Sequence, residues 1–193
     1  MTYVLFWYKE LLNQSGEVIM KTVEDYIKSI PDFPEPGVIF RDVTSLIKEP
    51  EGFKLAIDEL IKLLDGVDFD VIAAAESRGF VFAAPLAYAL GKPLVLIRKA
   101  GKLPRETVST SYELEYGKAT IEVHKDDLLP GQKVVLMDDI LATGGTIEAS
   151  IRLVEELGAE VAKILILMEL AGFNGRERLA KYDLNSVIVY EGK

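Results

Sequence analysis

Asp138 and Asp139 stand at the end of the apolar run Val134-Val135-Leu136-Met137, and Ile140-Leu141-Ala142-Thr143-Gly144-Gly145-Thr146 follows them. A strand that ends in two acids and opens through a Thr/Gly loop into a helix places chemistry at its carboxyl end, where open α/β sheets bind ligands. Two glycines let a ligand approach the free amides of the helix start, and Thr143 and Thr146 set hydroxyls beside them. That cradle suits a phosphate monoester. The acids need another partner, because carboxylates repel phosphate but accept hydrogen bonds well from a neighbouring diol. Together the pieces predict a site for a ribose 5-phosphate. A plain strand and turn would carry the desolvation and mutual repulsion of two acids without compensation. The stretch is not a Walker loop, since no Gly-Lys-Thr follows, and it lacks the GxGxxG spacing of dinucleotide sites.

A second cluster is cationic. Glu76-Ser77-Arg78-Gly79 follows the apolar run Asp70 to Ala75, and Arg98, Lys99, Lys102 and Arg105 put four cations into eight residues. Such a run is ordinarily solvated charge, but here it is suited to cover a pyrophosphate. The rest of the chain is acidic, with 22 Lys+Arg against 31 Asp+Glu and a net charge of −9. Bulk nucleic-acid binding is therefore disfavoured, and an anionic ligand must be held by a local set of cations and amides. With no cysteine there is no disulfide, thiolate zinc site or cysteine nucleophile, and the lone His124 argues against a histidine metal site or a Ser-His triad. His124 itself reads as a surface strand residue, and Met137 and Met168 as core filling.

The elements that position these residues follow from hydrophobic spacing. Phe53, Ile57, Leu60-Ile61 and Leu64 recur every three or four residues and predict a helix from Pro50 to a stop at Asp65-Gly66. Residues 70–75, 93–97, 133–137, 161–170 and 186–190 read as strands, and 80–90, 146–157 and 175–182 as helices. Thr22 to Asp25 reads as the start of a short helix closed by Pro31, Pro34 and Pro36, and 111–123 as a hairpin turning at Gly117-Lys118. Continuously apolar strands alternating with helices predict an α/β fold with a mainly parallel sheet. The length of 193 residues fits one domain. No run approaches a membrane span, and Tyr3 to Tyr8 lacks the flanks of a signal peptide, so the expected location is the cytoplasm.

The stretch from Val134 to Thr146 resembles the phosphoribosyl pyrophosphate (PRPP) motif of the type I phosphoribosyltransferases. Phe33 to Asp42, Glu76-Ser77-Arg78-Gly79-Phe80 and Leu114-Glu115-Tyr116-Gly117-Lys118 narrow the resemblance to the adenine-specific branch. The likeness runs from about Thr22 to the C-terminus. It implies the type I fold, a mainly parallel central sheet flanked by helices with a β-hairpin flap over the site. It also implies that Asp138 and Asp139 hold the ribose hydroxyls and that Ala142, Thr143, Gly144, Gly145 and Thr146 hold the 5-phosphate. Glu76, Ser77, Arg78, Arg98, Lys99 and Lys102 fall on the pyrophosphate side, with a cis peptide at Glu76–Ser77 and some cations reaching a neighbouring subunit, hence a homodimer. Ile39, Phe40 and Arg41 would meet adenine, with Leu170 on the other side of the ring. From the residues alone, Phe40 would be read as core. Glu115 is the expected acid–base residue, against the plainer reading of a solvated hairpin carboxylate like Glu113 or Glu122.

The reaction so implied is adenine and PRPP giving AMP and pyrophosphate. Mg²⁺ is expected to ride on substrate oxygens and water rather than on a protein cage. Rival readings are the same chemistry on xanthine, hypoxanthine or orotate, and a PRPP-sensing regulator without turnover. The second would need a DNA-binding module for which the chain has no basic helix. Residues 1–19 match nothing in the family and are expected to be an extension, an upstream start or a mobile segment before a single domain at 20–193.

Overall fold

The computed structural model describes residues 11–12, 18–19, 21–114 and 117–192. By internal contacts the chain divides into two compact units, 1–55 and 56–193.

In the first unit, β1 (Leu11–Leu12) pairs antiparallel with β2 (Val18–Ile19), and β3 (Lys28–Pro31) pairs antiparallel with β4 (Ile39–Asp42). The helix expected at Thr22 shrinks to a single 3₁₀ turn, Glu24–Tyr26. Both the amide and the hydroxyl of Thr22 bond the Asp25 carboxylate. The chain beyond is claimed by the β4 ladder and by the Ser45 hydroxyl, which accepts from the Lys28 amide. Asp42, expected only as the end of an apolar stretch, caps α1 (Val43–Lys48) by accepting from the Thr44 amide at 2.9 Å. α2 (Pro50–Lys62) then begins at the expected proline.

The second unit is built on a seven-stranded sheet of order β11-β10-β9-β5-β6-β8-β7. Its members are β5 (Val71–Ala75), β6 (Leu94–Lys99), β7 (Thr107–Leu114), β8 (Gly117–His124), β9 (Lys133–Leu141), β10 (Glu160–Leu170) and β11 (Leu184–Tyr190). The five strands from β11 to β6 run parallel, and β8 and β7 add on antiparallel. All five residues of β5 are buried, as are Val134 to Asp139 of β9, which is why these strands read as unbroken apolar runs rather than alternations. The flanking helices are α3 (Arg78–Leu90), α4 (Gly145–Glu156) and α5 (Gly175–Arg178). Ile147, Ile151 and Val154 of α4 are buried, as their spacing demands.

Several boundaries differ from expectation, β9 running on to Leu141 and β7 starting at Thr107 among them. Arg98 and Lys99 belong to the end of β6, paired with Glu122 and Ile121, because β8 extends the sheet past its parallel part. Gly117 and Lys118 do not form the turn but pair with Leu114 and Glu113 inside the hairpin. α5 ends at Arg178 rather than Tyr182, and its stop follows Leu179 into the core at 1% exposure.

Candidate active site

The carboxyl ends of β5 and β9 lie side by side, with β5 register-paired to β9 as far as Ala74↔Met137. Beyond that point the two chains diverge and open a cavity of about 340 Å³. Glu76, Ser77, Arg78, Lys99, Asp138, Asp139 and Thr146 line it, all expected from the sequence, together with Tyr112, which was not. The Glu76–Ser77 peptide is cis.

The acid pair is asymmetric. β9 does not end before the acids, as expected, but runs on to Leu141; strict alternation would send the two side chains to opposite faces, yet both line the cavity. Asp139 receives the Arg78 guanidinium at 2.5 Å. Asp138 instead turns back, its Oδ1 accepting from the Asp139 amide at 2.9 Å. Burial, with the Asp139 charge beside it, pushes the Asp138 carboxyl well above the usual carboxylate range.

At the start of α4 the backbone does what the Gly pair predicts. Gly144 sits in the left-handed region at φ 78°, and no side chain caps the helix. The first-turn amides are therefore open to an anion. Thr146 donates its hydroxyl to Tyr112 Oη at 3.1 Å, tying β7 to this loop. Behind the loop lies Gly175, where a Cβ would overlap the Ala142 carbonyl oxygen and stand 3.0 Å from the Gly144 nitrogen. Thr143 is exposed, and neither it nor Ala142, Gly144 or Gly145 lines the cavity itself.

The cations of the basic loop are gathered by carboxylates. Glu76 accepts from Lys102 Nζ at 2.9 Å, from the Lys99 amide at 3.0 Å and from Arg98 Nε at 3.3 Å. Burial raises its carboxyl, but these hydrogen bonds prevail and hold it at about 2. Glu122, expected to be solvated, is buried at 6% exposure and accepts from the amides of Lys102 and Leu103, both at 3.0 Å. His124 is likewise buried, contrary to its surface reading. Its Nε2 accepts the Arg105 amide and its Nδ1 faces Asp127 at 3.0 Å, while Arg105 pairs with Asp126 and Asp127. The sequence did carry a signal for both. Glu122 and His124 alternate with Ile121 and Val123 near the end of a strand, where a polar face must find buried partners if anything covers it.

Ile39, Phe40 and Arg41 lie on β4, Ile39 exposed and the other two half-buried. Phe40 meets the Phe33 ring edge-on at 5.2 Å between centroids, and Arg41 donates to Ser29. Leu170 closes β10, half-buried and paired with Tyr190. Glu115 lies outside the described residues.

The family model of the phosphoribosyl transferase domain matches residues 44–190. An adenine phosphoribosyltransferase of Butyrivibrio fibrisolvens is 71% identical over 174 residues, covering 90% of this chain and 96% of its own. The chain belongs to the adenine phosphoribosyltransferase family. Within the family, the enzyme of Agathobacter rectalis is 68% identical over 90% of this chain and all of its own length. The crystal structure of the Thermoanaerobacter pseudethanolicus member superposes with a TM-score of 0.83 at 52% identity, covering 87% of this chain and 98% of that one. The Saccharomyces cerevisiae member, solved with an imino-altritol bisphosphate and adenine, gives 0.80 at 37% identity over 86% and 96% of the two chains. The type I fold expected from the motifs is thus the fold observed.

Proposed function

We propose that this chain transfers the 5-phosphoribosyl group of PRPP to adenine, giving AMP and pyrophosphate. The observation that carries this reading is the 71% identity to the Butyrivibrio enzyme over 90% of the chain. An uncapped α4 that opens at Gly145, beyond Asp138-Asp139, supports it, because a ribose 5-phosphate needs both diol acceptors and phosphate amides.

In this reading Ala142 to Thr146 hold the 5-phosphate, and Asp138 and Asp139 accept from the ribose hydroxyls. Arg78, fixed by Asp139, stands between the ribose and the departing pyrophosphate, which Arg98, Lys99 and Lys102 neutralise. Glu76 serves that side as the counter-ion that gathers the cations. As the C1–O bond to pyrophosphate breaks, the anomeric carbon gains oxocarbenium character, and fixed charges aimed at the leaving group lower the barrier. Ile39 to Arg41 present backbone groups to the base, and Leu170 an apolar contact. Glu115 takes the proton of the imidazole N–H as the ring nitrogen forms its bond to C1.

Among the described residues no three acids or histidines form a metal cage. The cavity's carboxylates, Asp138 and Asp139, offer hard oxygens and would suit a Mg²⁺ held mainly by substrate oxygens and water. Such an ion supplies further neutralisation of the leaving group. The proposal also includes a homodimer and a cytoplasmic location. Among the described residues no helix is long and apolar enough to cross a membrane.

The test is incubation with PRPP, Mg²⁺ and a panel of bases, followed by identification of the nucleotide formed. AMP alone is expected. Equal turnover of hypoxanthine or xanthine would refute the base assignment, and no nucleotide at all would leave the regulator reading.

A further inference from the structure

The chain has seven arginines. Six are engaged: Arg41 with Ser29, Arg78 with Asp139, Arg98 with Glu76, Arg105 with Asp126 and Asp127, Arg152 with Ser111, and Arg176 with Glu169. Arg178, the last residue of α5, has no ion-pair or hydrogen-bond partner among the described residues. Although exposed, it lies against the loop before α4. Its Cδ lies 3.5 Å from the point a Cβ would occupy on Gly144, and its Nη1 lies 3.4 Å from the corresponding point on Gly145. The guanidinium therefore lies along the two glycines of the loop that opens α4. It gets there because Gly175, three residues earlier, lets the backbone of α5 meet the back of that loop without a side chain between.

We propose that Arg178 is a further ligand of the 5-phosphate, supplying the cationic contact that the loop's amides and threonine hydroxyls, neutral donors, lack. This rests on reading Ala142 to Thr146 as the phosphate loop. An unpaired cation beside the positive end of a twelve-residue helix is an unfavourable placement until an anion arrives. In a chain of net charge −9, carboxylates were available to quench it, as they do for the arginines beside it in sequence and across the site. The binding of a phosphate dianion relieves both charges at once. A guanidinium presents paired N–H donors to two phosphate oxygens, whereas the loop's amides each present one. A Cβ at Gly145 would stand in contact with both the guanidinium and the Tyr112 ring, each 3.4 Å away.

The test is calorimetry on the full chain with ribose 5-phosphate and, separately, with pyrophosphate, for wild type, Arg178→Gln, Arg178→Lys and Thr146→Val. Arg178→Gln is expected to raise the Kd of ribose 5-phosphate about 5- to 20-fold, as for an exposed charge-assisted hydrogen bond, and to leave that of pyrophosphate within about 2-fold. Arg178→Lys should recover part of the loss, since it keeps the charge without the fork. If Arg178→Gln binds ribose 5-phosphate like wild type while Thr146→Val is weakened, the arginine is merely solvated and the proposal falls with the loop reading intact. If neither substitution matters, the loop is not the phosphate site. An equal loss for both ligands would mean a general field effect and would overturn the contact.

Discussion

Asp138 carries a cost that the fold bears for the sake of the site. Its carboxyl is pushed up by burial and by Asp139, so the folded state holds its proton more tightly than the unfolded state does. Above the unfolded value near 4, ionised Asp138 therefore subtracts from stability, and below it the penalty vanishes. Asp138→Asn keeps the acceptor for the Asp139 amide and removes the charge. It should raise the melting temperature at pH 7, with the gain fading as pH falls toward about 4 and absent below it, while weakening PRPP binding. A lowered melting temperature at pH 7 would show that the ionised acid is stabilising where it stands. Glu76 shows the opposite sign. Held at about 2 by Lys102, the Lys99 amide and Arg98, it adds stability that is complete above its unfolded value near 4.5 and is lost as pH falls toward about 2. The gap in melting temperature between wild type and Glu76→Gln should therefore close across that acid window, and a gap that persists at pH 2.5 would mean the carboxylate matters through shape alone. For Glu115, the proposed base, Glu115→Gln should lower kcat about 10²- to 10⁴-fold with little change in PRPP binding. Glu113→Gln is the control, and similar losses in both would remove the acid–base role.

Among the elements, the phosphate loop and α5 are the pair whose contact decides the site's shape. A methyl at Gly175 would overlap the Ala142 carbonyl oxygen and crowd the Gly144 nitrogen, both backbone atoms, so a shift of the Leu141 side chain it also meets would not relieve the clash. Gly175→Ala must either lift α5 from the sheet or push the loop toward its ligand. The KM for PRPP is expected to rise at least about 10-fold, and the stability to fall, as for other overpacked sites, by about 1–3 kcal/mol. Adenine KM should change little, and unaltered PRPP kinetics would show that the loop does not lean on α5. This contact explains where the sequence stops being legible. β9, the acid pair and the opening of α4 are local, and hydrophobic pattern plus loop chemistry are enough to read them. The partner of Gly144 lies some thirty residues away, and nothing in Asn174-Gly175-Arg176 signals which backbone that glycine will touch. Glu122 and His124 fail for a related reason. Alternation placed them on the polar face of β8, but only the tertiary path of residues 101–105 covers that face and turns solvated groups into buried acceptors. That Gly117 and Lys118 pair within the ladder instead of turning is a matter of register, which a Gly-Lys pair in the sequence does not fix.

At the scale of the whole chain, the relative of Agathobacter rectalis aligns over its entire length with 174 of the 193 residues here, which leaves 193 − 174 = 19 without a counterpart. The family model begins later still, at residue 44. Every residue assigned to the site lies at Ile39 or beyond, and the buried core of the second unit is drawn from Ala56 to Tyr190. Residues 1–19 contain Lys9, Glu10 and Glu17 as their only charges, so they add little to the field that the basic loop presents to PRPP. They do contain Phe6-Trp7-Tyr8, an aromatic triplet that would contribute strongly if it packed, since each such ring buries about 150–250 Å². A chain starting at Met20 discriminates between the two readings. If the segment is an extension to a domain that stands without it, the shortened chain keeps kcat/KM for both substrates within about 2-fold. Its melting temperature stays within a degree or two, because removing solvated residues takes no buried apolar area. If the triplet packs, the loss of that area lowers the melting temperature by several degrees, on the scale of about 4 °C per kcal/mol for a domain of this size. Kinetics alone would not separate a packed segment from a solvated one, so the decisive measurement is the thermal transition, and a drop of several degrees would overturn the extension reading.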